Sequence, residues 1–462
     1  MKSKVLDINA RYLGVPTLLL MENAGRKIAD ECESFKNIVI FSGRGGNGGD
    51  GLAAARLLHS QGEKVKVYAL SGGRSRECQE NFDMLKALDL QVTEVYDSSQ
   101  CEIIKKEVGN CDAAVDALLG VGVEGIVREP IRSLIELINT LDCVKISVDA
   151  PSGDDETSVK ADVVLALHRE KVSGSKIVDI GMPPEAEKYV GPGDVYLAIP
   201  RRDVDSHKGD FGRVLIVGGS ERYIGTPMLV AQACLKSGAD VVTIACPKIV
   251  AEKIPYDPNI IVYPLKSNKY FSEDDVEKIL EEKFDVLAIG NGLGTHSDTK
   301  YALRELLGKV ETQIVLDADA LRLVDKKHLK NNMVLTPHAH EFESLFGEIG
   351  DDREMACKAA AKKTETIVLL KGAVDVISNG KTSRLNKTGN PAMTVGGTGD
   401  VLAGLVAGLI AQNKNSYSSA CAGAFLNGLA GDIAFEKFGV SVTATDVIGE
   451  IHSAISFSEK FY

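Results

Sequence analysis

The chain contains no tryptophan, and aromatic residues make up only 5% of its 462 positions. It therefore lacks the rows of rings on which single-stranded nucleic acids stack. Positive charge is short as well. Lys and Arg number 53 against 65 Asp and Glu, a net charge of −12, which repels phosphate backbones and excludes a general nucleic-acid partner. No apolar run approaches the ~18 residues a bilayer crossing needs; the best is Val401–Ala411, so no membrane partner is expected. At the N-terminus Asp7, Arg11 and Glu22 interrupt any signal-peptide core. The nine cysteines are scattered singly without a C-x-x-C pair, which excludes a zinc knuckle and a dithiol redox motif. A cytoplasmic location is expected, with the cysteines as buried or idle thiols.

What is present is a globular composition, 44% hydrophobic and 26% charged, with 45 glycines. That composition fills cores and excludes disorder, and the length favours two or three domains. β-branched runs at Asn37–Phe41, Lys64–Leu70, Ala113–Leu118, Val144–Val148 and Val163–Leu167 alternate with helical stretches such as Gly51–Gln61 and Pro130–Thr140. This alternation predicts a parallel sheet covered by helices on both faces. Around Val190–Arg213 the pattern breaks at Gly191-Pro192-Gly193 and Pro200-Arg201-Arg202, which reads as a linker. A second series follows at Arg213–Val217, Val241–Ala245, Asp285–Ile289, Ile314–Leu316, Met333–Leu335 and Thr366–Leu370, closed by an apolar helix over Asp400–Gln412. The expectation is two α/β domains, residues 1–200 and 201–462.

In the first domain, Ser42-Gly43-Arg44-Gly45-Gly46-Asn47-Gly48-Gly49-Asp50-Gly51 follows a strand and opens a helix. Glycines let backbone N–H groups approach an anion, and a helix N-terminus adds positive potential. Gly43, Gly45 and Gly48 satisfy G-x-G-x-x-G, but Leu70-Ser71-Gly72 offers no acidic residue at the end of the second strand, so an ordinary nicotinamide dehydrogenase fails its own test. Asp116 lies in a buried run ending at Gly120 and Gly122, and Asp149-Ala150-Pro151-Ser152-Gly153 closes another strand. Asn47, Asp116 and Ser152 can converge at strand ends as hard oxygen ligands for a cation, with Asp149 as a base; a turn-capping role is the alternative for each.

The second domain ends in Asn390-Pro391-Ala392-Met393-Thr394-Val395-Gly396-Gly397-Thr398-Gly399-Asp400. Its glycines suit an anion hole at a helix N-terminus, where Asp400 can accept a substrate hydroxyl's proton during phosphoryl transfer. No Walker A loop exists: Gly380-Lys381-Thr382 is the one G-K-[ST], and Asp375 stands where the upstream glycine is required. His338-Ala339-His340-Glu341 lacks further ligands at zinc spacing, so His338 is expected to bond a ligand and Glu341 to cap a helix. Asp317-Ala318-Asp319 stays open between site wall and helix cap.

Taken together, Gly45–Gly51, Asp116–Gly122, Asp149–Gly153 and Asn390–Asp400 resemble the bifunctional NAD(P)H-hydrate repair enzymes over nearly the whole chain. Glu22-Asn23-Ala24-Gly25, His207-Lys208-Gly209-Asp210, Gly218-Gly219-Ser220 and Thr336-Pro337-His338 add to the resemblance. The resemblance implies a Rossmann-like three-layer epimerase domain that interconverts R- and S-NADHX and NADPHX. It further implies a ribokinase-like dehydratase domain that uses ADP or ATP, with magnesium, to restore NADH or NADPH. By motif, Asn47, Asp116 and Ser152 would hold potassium. Gly46, Asn47, Gly48, Gly49, Asp50, Gly120, Val121, Gly122, Val123, Glu124, Gly125, Ile126 and Asp149 would bind the epimerase substrate, with Asp149 catalytic. Thr226, Gly292, His338 and Asp400 would line the hydrate pocket, Asp400 being the base. Lys371, Gly372, Ala373, Val374, Asp375 and Gly399 would hold the nucleotide. Gly46 stands where the family usually has asparagine, and Thr226 where alanine is commoner. A homo-oligomer is expected. The competing reading is a ribokinase-like small-molecule kinase with a nucleotide-sensing or scaffolding N-terminal domain.

Overall fold

The computed structural model describes residues 3–120, 125–154 and 156–462. The chain forms two compact units, one of Leu13–Pro183 and one of Lys4–Tyr12 with Pro184–Tyr462.

The first unit contains strands β1 (Asn37–Ser42), β2 (Lys64–Leu70), β3 (Gln91–Val95), β4 (Ala113–Ala117), β5 (Val144–Val148), β6 (Val163–Leu167) and β7 (Lys176–Val178). They form one parallel sheet in the order β3-β2-β1-β4-β5-β6-β7. Both faces are covered, as the unbroken apolar runs require. Val39 and Phe41 enter a core with Ile104, Leu134 and Ile138, while Ile40 and Ala117 meet the helix Gly46–Ser60 at Gly51. That helix begins five residues earlier than the sequence suggests, so the glycine loop supplies its first turn. Strands β3 and β7 are absent from the sequence reading. β3 interleaves polar residues and β7 is three residues long at the sheet edge, so neither shows an apolar run.

The second unit contains β8 (Arg213–Val217), β9 (Val241–Cys246), β10 (Ile261–Pro264), β11 (Val286–Ile289), β12 (Gln313–Leu316), β13 (Met333–Leu335), β14 (Ile367–Leu370), β15 (Asp375–Ser378) and β16 (Ser383–Asn386). Their order is β10-β9-β8-β11-β12-β13-β14-β15-β16, parallel through β14 and antiparallel thereafter. Alternate residues of β8 serve different cores: Val214 and Ile216 pack with Leu405 and Leu409, and Leu215 and Val217 with Leu303 and Leu307. The helix Thr398–Asn413 is buried at every position from Val401 to Gln412, which explains its uninterrupted hydrophobicity.

The stretch read as a linker is not one throughout. Pro192–Ala198 is a helix, and Val195 and Ala198 lie fully buried in the second unit's core. The Gly-Pro pair that suggested a loop is a helix start, with Pro at its first position. The compact units accordingly divide between Pro183 and Pro184, ahead of the expected residue 200. The N-terminal helix Ser3–Tyr12 contributes to the second unit, where Asn9 Oδ1 accepts from Gly193 N at 2.8 Å and Tyr12 packs edge-on against Phe425, Phe457 and Phe461. Among the described residues, no helix is long and apolar enough to cross a membrane.

Candidate functional site

In each unit the strand order reverses at one place, between β1 and β4 and between β8 and β11. The carboxyl ends of the strands beside such a reversal leave a crevice for ligands.

In the first unit, β1 runs into Gly43, where even a methyl group would lie 1.9 Å from Leu118 O; only glycine lets the two strand ends close together. The helix that follows makes its first internal bond from Gly49 N to Gly45 O, so the N–H groups of Gly46, Asn47 and Gly48 precede that bond and have no partner within the helix. Gly46 is exposed and Asn47 half-buried, whereas Gly48, Gly49 and Asp50 are buried in the helix. Asn47 Nδ2 donates to Leu119 O and Val148 O, both at 2.8 Å. Asp116 is wholly buried and accepts from Ser147 Oγ and Ser152 N at 2.8 Å and from Ser152 Oγ at 2.5 Å. Burial pushes its carboxyl pKa up against the pull of these donors. Ser152 Oγ also accepts from Leu119 N at 2.8 Å. Asn47, Asp116 and Ser152 thus converge around Leu119.

Asp149 follows β5 with φ of +68°, a left-handed conformation rare outside glycine and costly to hold. It is 6% exposed and ion-paired with Lys171. Lys171 escaped the sequence reading, since Arg169-Glu170-Lys171 looks like a solvated charge cluster. Gly120 lies against Asn47, Gly125 and Ile126 are exposed, and Val121, Gly122, Val123 and Glu124 lie outside the described residues.

In the second unit, Gly290 plays the part of Gly43. Its φ is +133°, and a Cβ there would lie 1.8 Å from Asp317 O. The close approach sets Asn291 between two carboxylates: Nδ2 donates to Asp400 Oδ1 at 2.7 Å and to Asp317 Oδ2 at 2.9 Å. Lys371 Nζ donates to Asp317 Oδ1 at 2.9 Å. The open question over Asp317 and Asp319 resolves into two roles, for Asp317 bonds to the lysine and asparagine while Asp319 Oδ2 accepts from Gly294 N at 2.9 Å. Asn291 is the residue that glycine patterns alone did not single out.

Asp400 sits in the first turn of its helix, after Gly397 in the left-handed region. The first internal helix bond there is Val401 N to Gly397 O, so the N–H groups of Thr398, Gly399 and Asp400 precede it. Burial, reinforced by the negative charges of Asp317 and Asp319, pushes the Asp400 carboxyl up to about 7, although the Asn291 donation and Lys371 oppose the shift. Burial pulls the Lys371 ammonium down, but Asp317, Glu341 and Asp400 more than offset it and its pKa lies above the usual lysine value. Gly399 lies beside Lys371 Nζ. Gly372, Ala373 and Val374 form an exposed turn, closed by Gly372 N donating to Asp375 Oδ1 at 2.9 Å. Thr226 and Gly292 are neighbours. His338 caps the helix Ala339–Phe346, its own N–H donating to Glu341 Oε2 at 3.0 Å. Burial lowers its pKa despite Glu341, which favours the neutral imidazole. Among the described residues, no group of three or more His, Cys, Asp or Glu is arranged to hold a metal ion.

Residues 17–173 match the family described as YjeF-related protein N-terminus, and residues 214–453 the family described as NAD(P)H-hydrate dehydratase. The bifunctional NAD(P)H-hydrate repair enzyme of Methanothermobacter thermautotrophicus is 43% identical, over 97% of this chain and 93% of its own. That of Hyperthermus butylicus is 39% identical, over 98% and 91%. Among solved structures, a ribokinase-like superfamily protein of Enterococcus faecalis aligns with a TM-score of 0.52 at 25% identity, over 59% of this chain and 96% of its own. The chain belongs to the bifunctional NAD(P)H-hydrate repair enzymes, with an epimerase unit ahead of a dehydratase unit.

Proposed function

We propose that the dehydratase unit transfers the terminal phosphoryl group of ADP or ATP to the ring hydroxyl of S-NADHX or S-NADPHX, with Asp400 as base. The observation that carries this reading is a carboxylate with its pKa near 7 at a glycine-lined helix N-terminus, held by Asn291. A base titrating near neutral pH is suited to abstracting a hydroxyl proton. The N–H groups of Thr398, Gly399 and Asp400 face the phosphoryl group as it accepts charge. Phosphate is then a far better leaving group than hydroxide. The ring nitrogen's lone pair expels it, the neighbouring carbon loses a proton, and NADH or NADPH is restored with AMP or ADP and inorganic phosphate. Lys371 lies beside Gly399 to meet nucleotide phosphates, and Gly372, Ala373, Val374 and Asp375 form the turn along the nucleotide. Thr226, Gly292 and His338 line the hydrate side. Magnesium would arrive with the nucleotide phosphates.

In the epimerase unit, Lys171 protonates the departing ring hydroxyl and Asp149 takes a proton from the water that returns on the other face. The Asp149–Lys171 ion pair gives the direct path by which that proton goes back. Asn47, Asp116 and Ser152 would hold potassium: the Asp116 carboxylate, Ser152 Oγ and the Leu119 and Val148 carbonyls bring hard oxygens together. Asn47, whose Nδ2 donates to both carbonyls, would offer its Oδ1 by turning its amide. When bound, the ion would offset the negative charge of the substrate pyrophosphate. The N–H groups of Gly46, Asn47 and Gly48 and the segment from Gly120 through Ile126 would meet the substrate.

Product analysis tests the reading. S-NADHX with ADP or ATP should yield NADH and inorganic phosphate in equal amounts. A stable phosphorylated hydrate would instead make the second unit a simple kinase.

A further inference from the structure

We propose that Cys111 and Cys143 are a disulfide-forming pair, a modification site in the epimerase unit at the opposite end of the strands from Asp116 and Asp149. The nine cysteines look isolated in sequence, yet these two sulfurs lie 2.8 Å apart, inside the ordinary contact distance of two sulfur atoms. Each stands just before a strand of an adjacent parallel pair: β4 and β5 are in register from Ala113 and Val144, and Val144 N donates to Asp112 O at 3.2 Å. Neighbouring strands at this spacing bring α-carbons within the range a disulfide spans.

Access and reactivity point the same way. Cys111 is buried and Cys143 half-buried, and a cleft of about 590 Å³ lined by Cys111, Asn110, Glu107 and Gln91 reaches Cys111. The hydrogen bond between the two sulfurs, with Lys145 nearby (its Nζ donates to Cys143 O at 3.2 Å), holds the Cys111 thiol below its ordinary pKa while Cys143 stays above, so the thiolate sits on Cys111. The oxidant is a small-molecule disulfide. The Cys111 thiolate attacks one of its sulfurs and releases the first small thiol. Cys143 then loses its proton to solvent and attacks the Cys111 sulfur, forming the protein disulfide and releasing the second thiol. Two protein thiols are oxidised and one small disulfide is reduced.

The bond would close a loop holding β4, the Gly120–Ile126 segment and the helix Ile131–Thr140. Constraining that loop in the unfolded chain stabilises the folded unit without touching the reacting groups. The test is to treat the folded, reduced full chain with oxidised glutathione, block remaining thiols under denaturing conditions and map peptides without reductant. The expected result is a Cys111–Cys143 peptide, two fewer free thiols than the nine cysteines, and a rise of about 5–15 °C in the epimerase unit's Tm, all reversed by dithiothreitol. Cys143→Ser should show no Tm rise on the same treatment. A full set of nine thiols, or a linked peptide joining other cysteines, would overturn the proposal from the wild-type chain alone.

Discussion

The chemistry at residue scale depends on how Asp400 is held. With Asp400 as the proposed base, its ionised form must be present, so dehydratase kcat/KM should fall about tenfold per pH unit below ~7, the limb belonging to a carboxyl raised by burial. Asn291 donates to the ionised form and holds the pKa down. Asn291→Leu should therefore move that limb to higher pH and lower kcat at neutral pH, with KM for nucleotide little changed; an unmoved limb would remove Asn291 from the mechanism. Asp400→Asn should lose dehydration by about 10² to 10⁴ while still binding nucleotide, as calorimetric titration would show. The placement of Asp400 in the first turn of a helix, behind three glycines, was legible in sequence. Asn291 and Lys171 were not, since each acquires its meaning from a carboxylate brought beside it by another strand.

At the scale of elements, both units rely on a glycine that ends the strand beside the reversal. Gly290→Ala would set a methyl group 1.8 Å from Asp317 O in a conformation that L side chains rarely adopt. It should cost about 1–3 kcal/mol, read as a lowered melting transition of the dehydratase unit, and should reduce dehydration by moving Asn291 and Asp317 while epimerisation persists. The central strands could be read directly from the sequence because burial on both faces imposes continuous apolar runs. The edge strands β3, β7, β10 and β16 could not, for they are short or interleaved with polar residues. Neither could β15, which lies inside the sheet but is only four residues long with Asp375 and Ser378 at its ends. The helix Pro192–Ala198 was hidden for a different reason: glycine and proline mark a helix start as readily as a loop.

At the scale of the molecule, the N-terminal helix completes the dehydratase unit although the epimerase residues follow it in sequence. Tyr12 meets Phe425, Phe457 and Phe461 with ring centroids 5.5–6.3 Å away. Tyr12→Ala should cost about 2–4 kcal/mol and lower the dehydratase unit's calorimetric transition, leaving the epimerase transition in place. Sequence order suggested the reverse assignment because nothing in a ten-residue amphipathic helix names the surface it packs on. The two activities were legible together because their glycine and carboxylate motifs lie in order along one chain. The most direct measurement starts from pure R-NADHX with ADP or ATP and follows the return of reduced-nicotinamide absorbance. The wild-type chain should recover NADH fully, Asp149→Ala should recover none from R-NADHX yet convert S-NADHX normally, and Asp400→Asn should recover it from either epimer about 10² to 10⁴ more slowly. Recovery by Asp400→Asn at the wild-type rate would contradict the account.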